Sequence, residues 1–183
     1  MKNIRLIFLI ILIISLFSCD RFFNKTAFDY SNQNLSKKDY SNLKLNGTKF
    51  VNTDLSNSIF TDSKLNNVDF TNADLSFTLM NGSDLRRAVF KDTKLFNVNF
   101  TNAKLQGLDF TGLNLSNSDF TSADLRGTKF KNADLQGTVF NGADLRKADF
   151  TDARVELDQL FNGRNLDGAK MPEGSVYRTK SNK

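Results

Sequence analysis

A five-residue period runs through most of this chain. From Leu45 to Leu145 every residue whose number ends in 5 is Leu, and from Phe50 to Phe150 ten of the eleven ending in 0 are Phe, Met80 being the exception. Take these residues as centres, i. Position i−2 is then Ala, Ser, Thr or Val in 20 of the 23 cases from 43 to 153, and Leu43, Leu108 and Leu113 are the other three. None of the 25 charged residues between 41 and 150 falls at either position; all lie at i−1, i+1 or i+2. A helix turns i and i+5 to different sides, and a strand alternates every two residues. Neither can bury such a pattern. An extended segment that turns a corner every five residues can, because i−2 and i share one side and each segment points the same two side chains at a common axis.

Four corners close a coil of 20 residues. A three-sided coil of 15 is excluded because it is not a multiple of the ten-residue Leu/Phe alternation. Residues 20 apart then stack into two Leu columns and two Phe columns, one through 50, 70, 90, 110, 130 and 150, the other through 60, Met80, 100, 120 and 140. Each buried centre contributes roughly 1.5–3 kcal/mol. Position i+2 is rich in Asn and Gly, among them Asn57, Asn72, Gly107 and Gly127, which tolerate tight corners best. The only Pro, Pro172, lies beyond the last full repeat, as it must if every segment donates its N–H to a neighbouring coil.

Composition removes much enzyme chemistry. The chain has no His and one Cys, which excludes His-based triads, His-ligated metals, multi-Cys zinc sites and an intramolecular disulfide framework. The Asp residues at i−1, such as Asp74, Asp84, Asp124, Asp134 and Asp144, read as solvated repeat positions, since a regular column lacks the contrast that drives paired pKa values apart. We expect no catalytic residue, no metal and no cofactor. The net charge of +5 shrinks to +1 between 41 and 150, with 13 Lys and Arg against 12 Asp and Glu. Arg86, Arg126 and Arg146 form a column, but Asp84, Asp124 and Asp144 sit two residues before them, so the stripe is expected to neutralise itself and nucleic acid is not an expected partner.

Segments such as Ala73-Asp74-Leu75-Ser76, Ala123-Asp124-Leu125-Arg126 and Ala143-Asp144-Leu145-Arg146 resemble the A(D/N)LXX signature of the pentapeptide-repeat family. The resemblance implies an all-β fold, a right-handed quadrilateral β-helix of about six coils over 35–154. At about 4.8 Å per coil it would stand about 29 Å tall. After Ala153 the period lapses, and residues 155–161 read as a short amphipathic helix, part of a C-terminal cap over 155–174 that precedes a flexible tail, 175–183. Some members of the family mimic DNA and bind gyrase. That alternative requires strong negative charge and a cytoplasmic location, and the charge balance here argues against it.

The N-terminus reads as an address. Lys2 and Arg5 precede an apolar run from Leu6 to Phe17, too short for a spanning helix and of secretory-signal length. Leu16, Phe17, Ser18 and Cys19 resemble the lipobox of bacterial lipoproteins, which implies cleavage after residue 18 and a diacylglycerol, with further acyl chains, on Cys19. Residues 19–34 then form a lipidated tether. The expected location is the bacterial envelope, periplasmic or surface-facing; Asp20 resembles an inner-membrane retention signal in some bacteria but not in others, so the membrane stays open.

One break in the outward polar pattern suggests a partner site. Ile59 and Leu79 occupy i−1 of one column, Phe77 is at i+2 on the adjoining corner, and Phe96 is at i+1 one coil above Ser76. On a four-sided coil these residues meet around one edge, with Val89 on another face. The sequence therefore points to a lipid-anchored, non-catalytic module that binds a protein or scaffolds an assembly; a purely structural envelope spacer fits it equally.

Overall fold

The computed structural model describes residues 27–178. The chain turns every five residues through one recurring device: the carbonyl of a centre accepts the N–H of the residue three further on, as in Thr48 N–H to Leu45 O (3.1 Å) and Ala73 N–H to Phe70 O (2.9 Å). The third residue of each turn has positive φ, 57° at Asn72 and 68° at Gly107, the requirement of a type II turn. This is why Asn and Gly recur at i+2.

Between corners the short segments pair in parallel with the coils before and after. Bridges join residues 20 apart, Asp29 to Lys49, Asp54 to Asp74 and Lys104 to Asp124 among them. Centre amides donate one way (Phe50 N–H to Asp69 O, 2.8 Å) and i−1 amides the other (Lys49 N–H to Phe28 O, 2.8 Å). The i+2 amide also reaches the next coil (Asn52 N–H to Thr71 O, 2.9 Å), and the last amide, at i+1, is often taken by the side chain two residues before it: Thr71 N–H to Asp69 Oδ1 (2.9 Å), Ser76 N–H to Asp74 Oδ1 (3.0 Å). The repeated Asp and Asn at i−1 thus complete the backbone accounting as Asx turns rather than serving only as solvated positions.

Twenty-residue spacing with a corner every five makes four faces. The first is centred on Tyr30, Phe50 and every twentieth residue to Phe150; the second, third and fourth follow from Leu35, Tyr40 and Leu45. Inside, rings stack along the columns, with centroids 5.6 Å apart for Phe50 and Phe70, 5.2 Å for Phe130 and Phe150, and 5.1 Å for Phe100 and Phe120. Tyr30 and Tyr40 extend the two aromatic columns downward, 5.4 and 4.8 Å from Phe50 and Phe60. The ladder begins at Asp29, inside the stretch expected to be a tether, because residues 29–34 carry the same pattern with Tyr in place of Phe.

The far end departs from period twenty. The helix α1, Leu157–Phe161, stands where a flat segment would lie, and beyond it the bridges are 21 residues apart: Asp144 with Asn165, Asp149 with Lys170. One extra residue is absorbed in the helix, and the coil then continues, burying Leu160, Leu166, Ala169 and Met171. Gln159 reaches from α1 to the carbonyls of Leu135 (3.2 Å) and Thr138 (2.6 Å), acceptors that a further coil would otherwise serve. Pro172 costs the ladder nothing there, since only its carbonyl is used, by Asp152 N–H at 2.8 Å.

One coil contact within the regular shaft is open. Val89 does not bridge Asp109, nor Lys94 Asn114, and the amides of Phe90, Leu95, Asp109 and Asn114 make none of the backbone bonds their counterparts make elsewhere. The cause lies at i−2. Leu108 and Leu113 stand where the pattern otherwise places a small residue, directly against Ala88 and Thr93, and their bulk holds the first and second faces apart. Ala88, at 8% exposure, feels the gap. The third and fourth faces of the same two coils stay joined, by Phe100 N–H to Asp119 O (2.7 Å) and Leu105 N–H to Asp124 O (3.0 Å).

Candidate functional site

The outward residues of the third face and its two corners are unlike those of the rest of the shaft. From Ser56 to Gly142 this side carries no Lys or Arg, only Asp62 and Asp119, and otherwise Thr, Ser, Asn, Gly, Gln, the apolar residues in question and Val139, exposed three coils above Leu79. On it the structure brings together all four residues that the sequence singled out. Ile59 and Leu79 are bridged to each other in adjacent coils. Phe77 N–H donates to Phe96 O (3.0 Å), and the two rings meet edge to face, centroids 5.3 Å apart. Phe77 and Leu79 are exposed, at 47% and 41%, whereas Ile59 and Phe96 are half-buried, so the projecting part of the patch is smaller than the sequence suggested. Val89 is exposed on the first face, away from this edge.

Phe77 carries a second peculiarity that sequence reading missed. It occupies an i+2 corner with φ 62°, where every other non-glycine residue of positive φ is Asn, Asp, Ser, Lys or Arg. A bulky residue in left-handed geometry costs about 1–2 kcal/mol. Its exposed ring recovers little of that by burial. The signal was available, since the corner positions are legible by counting, but its meaning depends on the sign of φ there.

On the fourth face the expected pairing is present. Arg86, Arg126 and Arg146 each reach the Asp two residues earlier at 2.6 Å. Asp144 also receives Arg164 at 3.4 Å, and its side chain is 4% exposed. The Arg86 and Arg146 guanidinium hydrogen bonds hold Asp84 and Asp144 below the usual carboxylate range. Among the described residues no group of three or more metal-ligating side chains is gathered, and no helix is long and apolar enough to cross a membrane. At the C-terminal end a shallow pocket of about 280 Å³ is lined by Phe161, Gly163, Arg164, Asn165, Leu166 and Tyr177. Leu16, Phe17, Ser18 and Cys19 lie outside the described residues.

Family models for pentapeptide repeats (8 copies) match residues 31–62, 41–76 and 69–95, and one for a pentapeptide repeat region matches 93–171. The chain belongs to the pentapeptide-repeat family. Its four-sided ladder is the right-handed quadrilateral β-helix of pentapeptide-repeat proteins. Solved structures that resemble it include a pentapeptide repeat protein of the Arabidopsis thaliana thylakoid lumen, 28% identical, covering 79% of this chain and 83% of that one with a TM-score of 0.44. Full-length QnrB1, a plasmid-mediated fluoroquinolone resistance protein, is 19% identical over 79% and 91% of the two chains, TM-score 0.41. The pentapeptide repeat protein Rfr23 of the cyanobacterium Cyanothece 51142 is 20% identical over 67% and 87%, TM-score 0.41. No curated protein matches this pentapeptide-repeat chain.

Proposed function

We propose that this protein is a lipid-anchored, non-catalytic module of the bacterial envelope, attached through Cys19, that presents the edge formed by Ile59, Phe77, Leu79 and Phe96 to a protein partner. The observation that carries the binding role is Phe77: its side chain is 47% exposed at a φ of 62°, so the chain forgoes conformational stability there without gaining burial. An exposed apolar cluster on a stretch, Ser56 to Gly142, whose third side carries no cation suits a partner surface that is itself apolar at its centre. The lipid anchor rests on the apolar run and the Leu16-Phe17-Ser18-Cys19 motif. A DNA-mimic role finds no support in the surface charge, which mixes both signs along the first and fourth faces.

Two experiments test the two halves. Palmitate labelling of the wild type and of Cys19→Ala, with membrane fractionation, addresses the anchor; equal label in both refutes it. For the edge, a photo-crosslinker at residue 79 is expected to yield one defined adduct in cells, lost in Phe77→Asn/Phe96→Ser. Asn is at home in left-handed geometry, so the melting temperature of that variant should hold or rise. An adduct unchanged in the double variant removes the edge from the proposal. No adduct at all favours the envelope-spacer reading.

A further inference from the structure

We infer that the first face, with its two corners, is a docking surface for an anionic lipid membrane, an inference that rests on the lipid-anchored reading above. The shaft's near-neutral total conceals a lateral separation of charge. Between 41 and 150, nine of the 13 Lys and Arg project from the first face and its corners, against four carboxylates, while the opposite side has no cation and two carboxylates; below and above that stretch the first side gains Lys170 with Asp29, Asp152, Asp167 and Glu173, and the opposite side gains Lys37 and Asp39. Depth adds to the asymmetry. The carboxylates that pair with the corner arginines are short and drawn in, 16%, 26% and 4% exposed at Asp84, Asp124 and Asp144, whereas Arg86, Arg126 and Arg146 are 53%, 49% and 45% exposed. Even their ion pairs therefore turn the positive end outward. Arg87, Lys91 and Lys147 have no ion-pair partner among the described residues.

The shape suits a planar surface. Apart from the open contact between Val89 and Asp109, successive i−1 residues of the first face are bridged in parallel, which makes two flat stretches, and seven coil steps from Asp29 to Lys170 make the side about 34 Å tall. The chain also enters the shaft on this side. Ala27 lies against Gly47 on the corner that carries the arginines, where a Cβ on Gly47 would stand 3.6 Å from that of Ala27, and Asp29 makes the first bridge of the first face. Seven residues, and so eight chain steps, separate Cys19 from Ala27, a reach of at most about 29 Å. An acyl anchor would thus hold the shaft within reach of the headgroups from its basic side, where attraction to anionic lipid acts within a Debye length, about 10 Å at 0.1 M salt. The apolar edge on the third face would then point away from the bilayer.

The test uses the full chain carrying Cys19→Ala, partitioned between buffer and vesicles of either phosphatidylglycerol with phosphatidylcholine or phosphatidylcholine alone. The ratio of the two partition coefficients cancels whatever the N-terminal apolar run contributes. That ratio is expected to fall at least about tenfold in Arg87→Gln/Lys91→Gln/Lys147→Gln, and to move much less in Lys64→Gln/Lys94→Gln/Lys104→Gln, which removes the same charge from other faces. Thermal melts confirm that both variants keep the fold. Equal losses in the two triple variants overturn the proposal, as does a parent ratio near one. Displacement from anionic vesicles by duplex DNA at a lower concentration than by free phosphatidylglycerol vesicles would overturn it in favour of nucleic acid. Finding no acyl group on Cys19 of the wild-type protein would refute the anchor, while the vesicle ratio would still judge the face.

Discussion

Two neighbouring stretches of the same shaft obey the same repeat and close differently. Between the coils at 103–105 and 123–125 the small residues Ala103 and Ala123 lie against each other, the bridge from Lys104 to Asp124 forms, and Asp124 N–H reaches Ala103 O at 3.0 Å. Between 88–95 and 108–114, Leu108 and Leu113 take the same inner positions and the first- and second-face bonds are missing. Leu108 is 3% exposed and Leu105 fully covered, while Leu113 is only partly buried. The difference separates two roles that a repeat normally fuses. The centres supply the apolar core, and the i−2 residues set whether coils approach closely enough to bond. In a solenoid, where stability is a sum of unit and nearest-neighbour contributions, the second role decides how strongly one coil is coupled to the next.

The comparison can be attacked in order of expected effect. Phe130→Asp, between Phe110 at 5.6 Å and Phe150 at 5.2 Å, places a charge in the closed part of the column and should leave the chain unfolded at 25 °C by circular dichroism, a loss above about 4 kcal/mol. Next, Leu125→Ala should cost about 2–5 kcal/mol in urea titrations. Leu108→Ala should cost much less, since backbone bonds regained at about 1 kcal/mol each offset the lost side chain. Amide exchange at Phe90 and Asp109 should slow in Leu108→Ala; unchanged exchange would show that the leucine is not what holds the coils apart. The converse change, Ala123→Leu, is expected to cost about 1–3 kcal/mol through overpacking and to speed exchange at Asp124.

Smaller effects refine the picture. An alanine Cβ at Gly137 would come within 2.4 Å of Asn117 Oδ1 at φ 68°, whereas at Gly112, on the open contact, it meets nothing within 4 Å. Gly137→Ala should therefore lower the melting temperature more than Gly112→Ala, by a margin set by how readily Asn117 rotates. Acid gives the last test. Because the folded-state pKa values of Asp84 and Asp144 are depressed, their stabilising contribution is present above the ordinary carboxylate pKa near 4 and is lost as pH falls through the folded values. Asp144→Asn should flatten that acid limb in a pH series of thermal melts without altering exchange at the open contact, which involves the other faces.

Counting residues was enough to assign the Leu and Phe columns, because a period of five cannot be buried any other way and bridges at 20 follow from it. The meaning of Leu108 and Leu113 was not legible: both are apolar and inward, and only the stacking against Ala88 and Thr93 shows their cost. The i−1 aspartates looked like solvated positions because the donor they accept from, the N–H of i+1, belongs to the backbone. Of the apolar edge, the meeting of Phe77 with Phe96 could be read from the four-sided map, while the partial cover over Ile59 and Phe96 could not. The net charge misled by averaging, since the absence of cations from the third side between Ser56 and Gly142 appears only when residues are sorted by side. Beyond Ala153 a single extra residue hid the continuing coil, as the buried positions shift out of step by one.

Near-identical coils raise the question of how a folding chain knows its own address. A segment that pairs with the wrong neighbour, 20 residues out of place, or with a coil of another molecule, would bury almost the same side chains and form almost the same bonds. Met80 interrupts one aromatic column, Leu108 and Leu113 fit against only one set of partners, and the extra residue before Asn165 can be accommodated at one level alone. These departures from the repeat are its index marks: each makes one alignment better than its translated copies. Erasing them with consensus residues should give a shaft that is locally better bonded and globally less certain of its register, with more misaligned and intermolecularly stacked species on refolding.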